Sequence, residues 1–231
     1  PEGQALIRDQ AQAILTQAQA PQTPPQSRAK GEGSQIFAMD DTTGEIIQIT
    51  GGQGGGGSSS IMVSRVANKV YYLRRTDGKQ VLTSIDLDSL FRDSKAGKMK
   101  GDNAYEKQHA TLPADFRIAG GFTIDADDKT AYFGFSDPYP PEPAPAEPRI
   151  RQGSGGLAAF DLTTGAMRIV VRTPFTVGHI QANPFKAGEV MYCNETAGDA
   201  ATRVWIVNGD GTKTRPVYVE GPDDCGAHDQ F

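Results

Sequence analysis

From Ser34 onward the sequence sets short runs rich in β-branched and aromatic residues against turns of Asp, Thr, Asn and Gly. Ser34 to Asp40 reads as a strand, Asp41-Thr42-Thr43-Gly44-Glu45 as a turn, and Ile46 to Thr50 as the returning strand. The same phrase recurs as Leu157 to Leu162, Thr163-Thr164-Gly165, and Ala166 to Val171. Alternating or β-branched runs favour strands, and the glycine supplies the positive φ that such a hairpin connection needs. Three looser versions stand elsewhere. Lys69 to Arg74 leads through Thr76-Asp77-Gly78-Lys79 into Val81 to Leu87, and Gly121 to Asp125 leads through Ala126 to Lys129 into Thr130 to Phe135. Arg203 to Val207 leads through Asn208-Gly209-Asp210-Gly211 into Thr214 to Val219.

Hairpins of one kind at such intervals predict an all-β fold, a β-propeller with about 40–50 residues per four-stranded blade. A parallel sheet is disfavoured because no helical crossovers alternate with the strands. The pattern divides the chain into two parts. Residues 1–33 form an N-terminal segment: Ala5 to Ala20 has helix-forming composition with a weak apolar stripe at Leu6, Ala13 and Ile14-Leu15, and Pro21 to Gly33 reads as linker. Residues 34–231 form the propeller domain, with room for about four to five blades at that spacing. The chain opens at Pro1 without an initiator Met and breaks off just after a hairpin. It is therefore expected to be a processed or partial product, with the propeller incomplete at its C-terminal side. Gly51 to Ser60 and Pro138 to Pro148 interrupt the rhythm and read as loops. The first is no phosphate cradle, since no Lys-Ser/Thr pair closes it and no helix pattern follows.

Composition narrows the function classes. The 231 residues hold 23 Lys and Arg against 28 Asp and Glu, a net charge of -5, without a basic cluster, so nucleic acid is excluded as a partner. No apolar run approaches the roughly 20 residues of a membrane-spanning helix. The hydrophobic share of 37% supports a core, while 27 glycines and 15 prolines imply many turns. The two cysteines, Cys193 and Cys225, either pair or stay as thiols; thiols are the commoner outcome in a chain long enough to build a core without staples.

The rarer residues gather at the end. The only tryptophan, both cysteines and two of three histidines lie between Gly178 and Phe231. His228, beside Asp229, is either a general base, neutral near pH 7 with an ordinary pKa of about 6.5, or the more common packing histidine. Arg203 precedes the apolar run Val204-Trp205-Ile206-Val207 and faces either a pocket or solvent. His179 follows Val177-Gly178 at a strand start, where a structural or supporting role is more usual than catalysis. A serine-hydrolase elbow and structural-zinc spacing are both missing from the sequence.

Taken together and in order, these phrases resemble the oligogalacturonate lyases, seven-bladed propeller enzymes that degrade pectin fragments. The family pattern has a Gly-His strand start, a Tyr/Phe-Cys-His-Glu-Gly phrase, an Arg-x-Trp strand with an Asn-x-Asp-Gly turn, and a Cys-Thr-His-Glu-Phe-Trp-like phrase. Here stand Gly178-His179, Tyr192-Cys193-Asn194-Glu195-Thr196, Arg203-Val204-Trp205 with Asn208-Gly209-Asp210-Gly211, and Cys225-Gly226-Ala227-His228-Asp229-Gln230-Phe231. The likeness covers residues 177–231; earlier blades share only hairpins and Thr-Gly turns. Asn194 stands where the family has histidine, Thr196 where it has glycine, and Asp229-Gln230 alters the last phrase.

The resemblance implies metal-assisted β-elimination on short oligogalacturonides or another uronate-containing oligosaccharide, giving unsaturated uronates. It implies His228 as base and Arg203 as the charge-neutralising cation, with His179, Trp205 and Glu195 binding substrate. It also implies a divalent cation, manganese, whose usual ligands match no position in this sequence. Cytoplasmic action on imported oligomers is implied as well, whereas the Ala-Gln-Ala run near the N-terminus is compatible with export. Two other readings stay open: a non-catalytic TolB-like or carbohydrate-binding propeller, and the propeller part of a prolyl-peptidase-like enzyme.

Overall fold

A computed structural model describes residues 35–50, 61–101, 103–137, 154–195 and 202–219, with Gly221 and Phe231. The segment 1–33, the Gly-Ser tract and the Pro-rich spacer, read above as helix, linker and loops, lie outside the described residues. The described chain runs β1 (Phe37–Met39), β2 (Ile46–Gln48), β3 (Ile61–Val63), β4 (Lys69–Thr76), β5 (Lys79–Asp86), α1 (Leu87–Lys95) and β6 (Glu106–Thr111). It continues with β7 (Arg117–Ile124), β8 (Thr130–Ser136), β9 (Gly155–Asp161), β10 (Met167–Thr173), β11 (Val177–Ala182), β12 (Glu189–Asn194), β13 (Val204–Asn208) and β14 (Arg215–Pro216).

These strands make three antiparallel four-stranded meanders, β3-β4-β5-β6, β7-β8-β9-β10 and β11-β12-β13-β14, preceded by the hairpin β1-β2. Each meander is a propeller blade, and the first strands β7 and β11 lie against each other. The inner strands of the blades are buried on both faces, which explains why they read as near-continuous apolar runs, whereas the outer strands β6, β10 and β14 are largely exposed. In β8, Phe133 and Phe135 pack toward the first blade while Tyr132 packs toward the third. In β4, Tyr71 and Leu73 face the second blade, and Val70 and Tyr72 face the β1-β2 hairpin and α1. Among the described residues, no helix is long and apolar enough to cross a membrane.

The repeated phrase marks one particular place in the blade. Asp161 Oδ1 accepts from the amides of Thr163 and Thr164 at 2.8 and 2.7 Å, and Gly165 closes the β9-β10 turn at φ 74°. Asp40 accepts from Thr42 and Thr43 at 3.0 and 3.1 Å, with Gly44 at φ 72°. The hairpin β1-β2 thus matches the third and fourth strands of the second blade.

Two expected strands are corrected. The run Val81 to Leu87 ends at Asp86, because Asp86 caps a helix by accepting from the Ser89 amide at 2.7 Å. Where the phrase has its turn glycine, this blade has Leu90, which α1 buries together with Leu87. The run Thr214 to Val219 shrinks to an edge strand, Arg215–Pro216, with one further ladder bond beyond it, from the Val217 N–H to the Val204 carbonyl at 2.9 Å.

Polar clamps join successive blades. The buried Asp125 carboxylate accepts from the Gly188 amide at 3.0 and 2.9 Å, from the Ala126 amide at 2.9 Å and from the Tyr132 hydroxyl at 3.0 Å. Between the first two blades, Asp128 accepts from the hydroxyls of Ser64 at 2.7 Å and Tyr71 at 3.2 Å. There His109 bridges the Leu162 carbonyl through Nδ1 and the Ser84 hydroxyl through Nε2, both at 2.8 Å. A carbonyl can only accept, so Nδ1 carries the proton and Nε2 accepts from Ser84.

Replacing Asp125 with Ala strands two donors, the buried Tyr132 Oη and the half-buried Gly188 amide. It should lower unfolding free energy by about 3 kcal/mol in urea titration, against less than about 0.5 kcal/mol for Asp41→Ala on an exposed turn. A change of similar size in both variants would refute the clamp. His109 yields a pH test. Burial, with Lys107 and Lys69 nearby, holds its pKa below the ordinary value, outweighing the Leu162 carbonyl and Asp128. The neutral ring is therefore favoured by folding, and stability should fall as pH drops below about 6.5, where the unfolded chain takes up the proton. In His109→Gln that component of the pH dependence of the urea midpoint should vanish.

Candidate active site

The strand connections of each blade fall at two ends. One end carries the β3-β4, β7-β8 and β11-β12 turns and the turns after β5, β9 and β13; the other carries the remaining connections. At that second end of the third blade, β11 begins, β12 ends and β13 begins. Three residues distant in sequence meet there because the ladder brings them together. Asn194 N–H donates to the Arg203 carbonyl at 2.8 Å, and Glu195 N–H donates to the Thr176 carbonyl at 2.9 Å.

Glu195 Oε1 lies 3.5 Å from His179 Nε2 and 3.7 Å from Arg203 Nη2. His179 sits where β11 slips register between Gly178 and Gln181, at φ 46°, a left-handed conformation unusual for a residue with a Cβ. Such outliers gather at functional sites, where the surrounding structure holds them. The Arg203 side chain is 17% exposed, yet its Nε and Glu195 Oε1 have no hydrogen-bond partner among the described residues. Partly exposed pairs at these separations are worth about 0–1 kcal/mol, too little to account for ordering three charged or polar side chains at one rim.

The structure thus brings together three of the five residues singled out from sequence: Arg203, Glu195 and His179. Trp205 lies on the same strand and packs against Phe175, with ring centroids 6.4 Å apart, opposite Tyr192 in the ladder. Its indole N–H donates to the Thr202 carbonyl at 3.1 Å. His228 and Cys225 lie outside the described residues, and Cys193 is buried in β12. Sequence reasoning missed Thr176 and Phe175, neither of which carries a local signal. It also missed the reason for Gly178: a Cβ there would lie 2.5 Å from Glu195 Cγ and 2.6 Å from its Oε1.

Among the described residues, no group of three or more His, Cys, Asp or Glu is placed to hold a metal ion. The residues present here therefore do not fit the divalent cation that the sequence resemblance implies, and Asn194 stands where a histidine would be.

No family model matches the chain, and no curated protein matches it. Among solved structures, it is similar to an oligogalacturonate lyase from Vibrio parahaemolyticus at 19% identity and TM-score 0.62, covering 80% of this chain and 46% of that one. It is also similar to an oligogalacturonate lyase in complex with manganese, at 21% identity and TM-score 0.60, with the same coverage of 80% and 46%. TolB from Acinetobacter baumannii follows at 14% identity and TM-score 0.48, covering 82% of this chain and 39% of that one. The chain spans less than half the length of the two lyases. At these identities the likeness is one of fold, an all-β propeller.

If the rim trio is not a stabilising device, Glu195→Gln should change unfolding free energy by less than about 1 kcal/mol in urea titration. A loss of several times that would mean the trio holds the blade together instead.

Proposed function

We propose that the protein is a uronate lyase acting on short oligogalacturonides or related uronate-containing oligosaccharides by β-elimination. The observation that carries this reading is the Arg203 guanidinium, mostly buried at the rim, with Nη2 steadied by Glu195 and Nε without a hydrogen-bond partner among the described residues. A planar guanidinium presents a fork of donors that suits a carboxylate bidentately, and a buried one gains more from an anion than an exposed one.

In the elimination, a base takes the proton at C5, next to the sugar carboxylate. The C5–H electrons form the C4–C5 double bond, and the C4–O bond breaks with its electrons going to the leaving oxygen, which is then protonated. The C5 proton is weakly acidic, and negative charge spreads onto the carboxylate as it leaves. A cation held in place before the reaction stabilises that charge without reorganising, which is the role proposed for Arg203. Glu195 aims the guanidinium, and His179 lines the same rim. The base role is proposed for His228 on the family resemblance alone. No step here is routed through a metal, because the described residues offer no seat for one.

The test is to incubate the protein with short oligogalacturonides, with and without Mn²⁺, and follow the ultraviolet absorbance of the conjugated unsaturated product. Arg203→Lys should lower kcat by about 10²–10³-fold, the usual loss for one transition-state donor, while leaving the fold intact. A positioned base contributes about 10²–10⁴-fold, so His228→Ala should fall in that range. No absorbance change under either condition would sink the lyase reading; calorimetric binding of the sugar without turnover would point to a carbohydrate-binding propeller.

A further inference from the structure

We propose that Gly178 is a positioning residue: its missing side chain is the seat that holds Glu195, and through Glu195 it aligns Arg203 and His179. The proposal deepens the uronate reading and rests on it for the purpose of the alignment. The seat itself rests on geometry alone.

Glycines are commonly retained for a left-handed φ or for space. Gly178 is not among the residues at positive φ, so its backbone makes no demand for glycine. Space does. The three atoms nearest a Cβ at this position would all belong to Glu195: Cγ at 2.5 Å, Oε1 at 2.6 Å and Cδ at 2.7 Å. Real Cβ contacts do not approach so closely, and the group able to yield is the Glu195 side chain rather than a backbone. An added methyl would therefore push the carboxylate away from where it lies 3.5 Å from His179 and 3.7 Å from Arg203.

Behind Gly178 stands the second blade. A Cβ on Gly120, in β7, would lie 2.6 Å from Gly178 Cα and 2.8 Å from the Val177 carbonyl oxygen. Those are backbone atoms that cannot step aside, and Gly120 is itself left-handed at φ 68°. The backbone of one blade thus presses on Gly178, and Gly178 bears the Glu195 carboxylate. The next residue, His179, turns out of the strand at the register slip. Displacement of a catalytic group by about 1 Å can cost about 10²-fold in rate, so a methyl is enough to matter.

The experiment is a double-mutant cycle on Gly178→Ala and Glu195→Ala, read by kcat and KM on oligogalacturonides, by calorimetric uronate binding and by ¹⁵N-detected imidazole resonances. The chain has three histidines, so the His179 signals can be assigned by single substitution. Gly178→Ala should lower kcat/KM by about 10²-fold and move the His179 ring resonances in the same direction as Glu195→Ala does. In the Glu195→Ala background it should cost nothing further, the non-additivity expected of residues acting through one another. Losses that multiply in the double variant, or a folded Gly178→Ala with unchanged His179 resonances, would overturn the proposal. Should Gly178→Ala fail to fold, Glu195→Ala must restore folding by vacating the space, and failure to do so overturns it equally. If the parent protein neither binds nor cleaves uronates, the lyase reading fails while the imidazole resonances still report on the seat.

Discussion

The structure depends on the docking of one twisted sheet on the next, and the Asp125 carboxylate is the polar centre of the best-defined of these contacts. Four hydrogen bonds converge on it, two of them from the Gly188 amide on the neighbouring blade. Burial and the adjacent Asp125 charge push the Tyr132 phenol well above its ordinary pKa, so it remains a donor well past neutral pH. Tyr132 also meets Gly209 of the third blade so closely that a side chain there would strike its hydroxyl. The Arg168 guanidinium donates to the Gly209 carbonyl beside it. The mostly aliphatic cluster around this clamp, with Leu157 and Val170 near Val177, Ile180, Val190 and Val207, adds apolar attraction, but such contact is not directional. The hydrogen bonds fix how the third blade sits against the second.

That relative placement reaches the opposite end of the blades through the first strands. With the turns locked by Asp125, β7 and β11 run side by side, and Gly120 meets Gly178 without room for an atom more. The His179–Glu195–Arg203 rim is therefore built on a backbone position set by two blades, although all three side chains belong to one. A site on strand ends of a clamped scaffold holds its groups more tightly than one carried by loops alone.

The sequence made the blade hairpins legible for a specific reason. Asp-x-Thr-Thr-Gly is a complete local instruction, with a side-chain acceptor for two amides and a residue free to take positive φ. The first blade reads differently because Asp86 uses the same acceptor to cap a helix where no glycine follows to close the turn. The capping aspartate and the apolar pair Leu87 and Leu90 were present to be read, but the β-rich surroundings favoured the strand. The site was legible only in part. Arg203 and Glu195 are eight positions apart, and their meeting depends on the register of β12 with β13, which no local pattern specifies. Gly178 looked like half of a Gly-His strand start; its need for space is a property of packing. Trp205 stood out for its rarity, yet its indole N–H is satisfied by Thr202 and its ring packs at a tilt beside Phe175.

The placement of Glu195 bears on which ligands the rim can accept. A carboxylate so close to Arg203 would neutralise it if the two formed a full bidentate pair, and the site would then offer a sugar acid little. The geometry stops short of that. Oε1 approaches only Nη2, at 3.7 Å, and Nε keeps its proton unshared among the described residues. Nη2 is steadied by Glu195, while Nε on the same edge of the guanidinium is left as a buried donor without an acceptor among the described residues. On the proposed reading, a neutral hydroxyl at this rim would leave the guanidinium charge unmet whereas a uronate carboxylate would meet it, since hydrogen bonds between ionised partners are roughly twice as strong as neutral ones. The same Glu195 disfavours ligands that bring more negative charge than the arginine can balance. On the proposed reading, selectivity for a single sugar carboxylate comes from an arginine that is held but not satisfied.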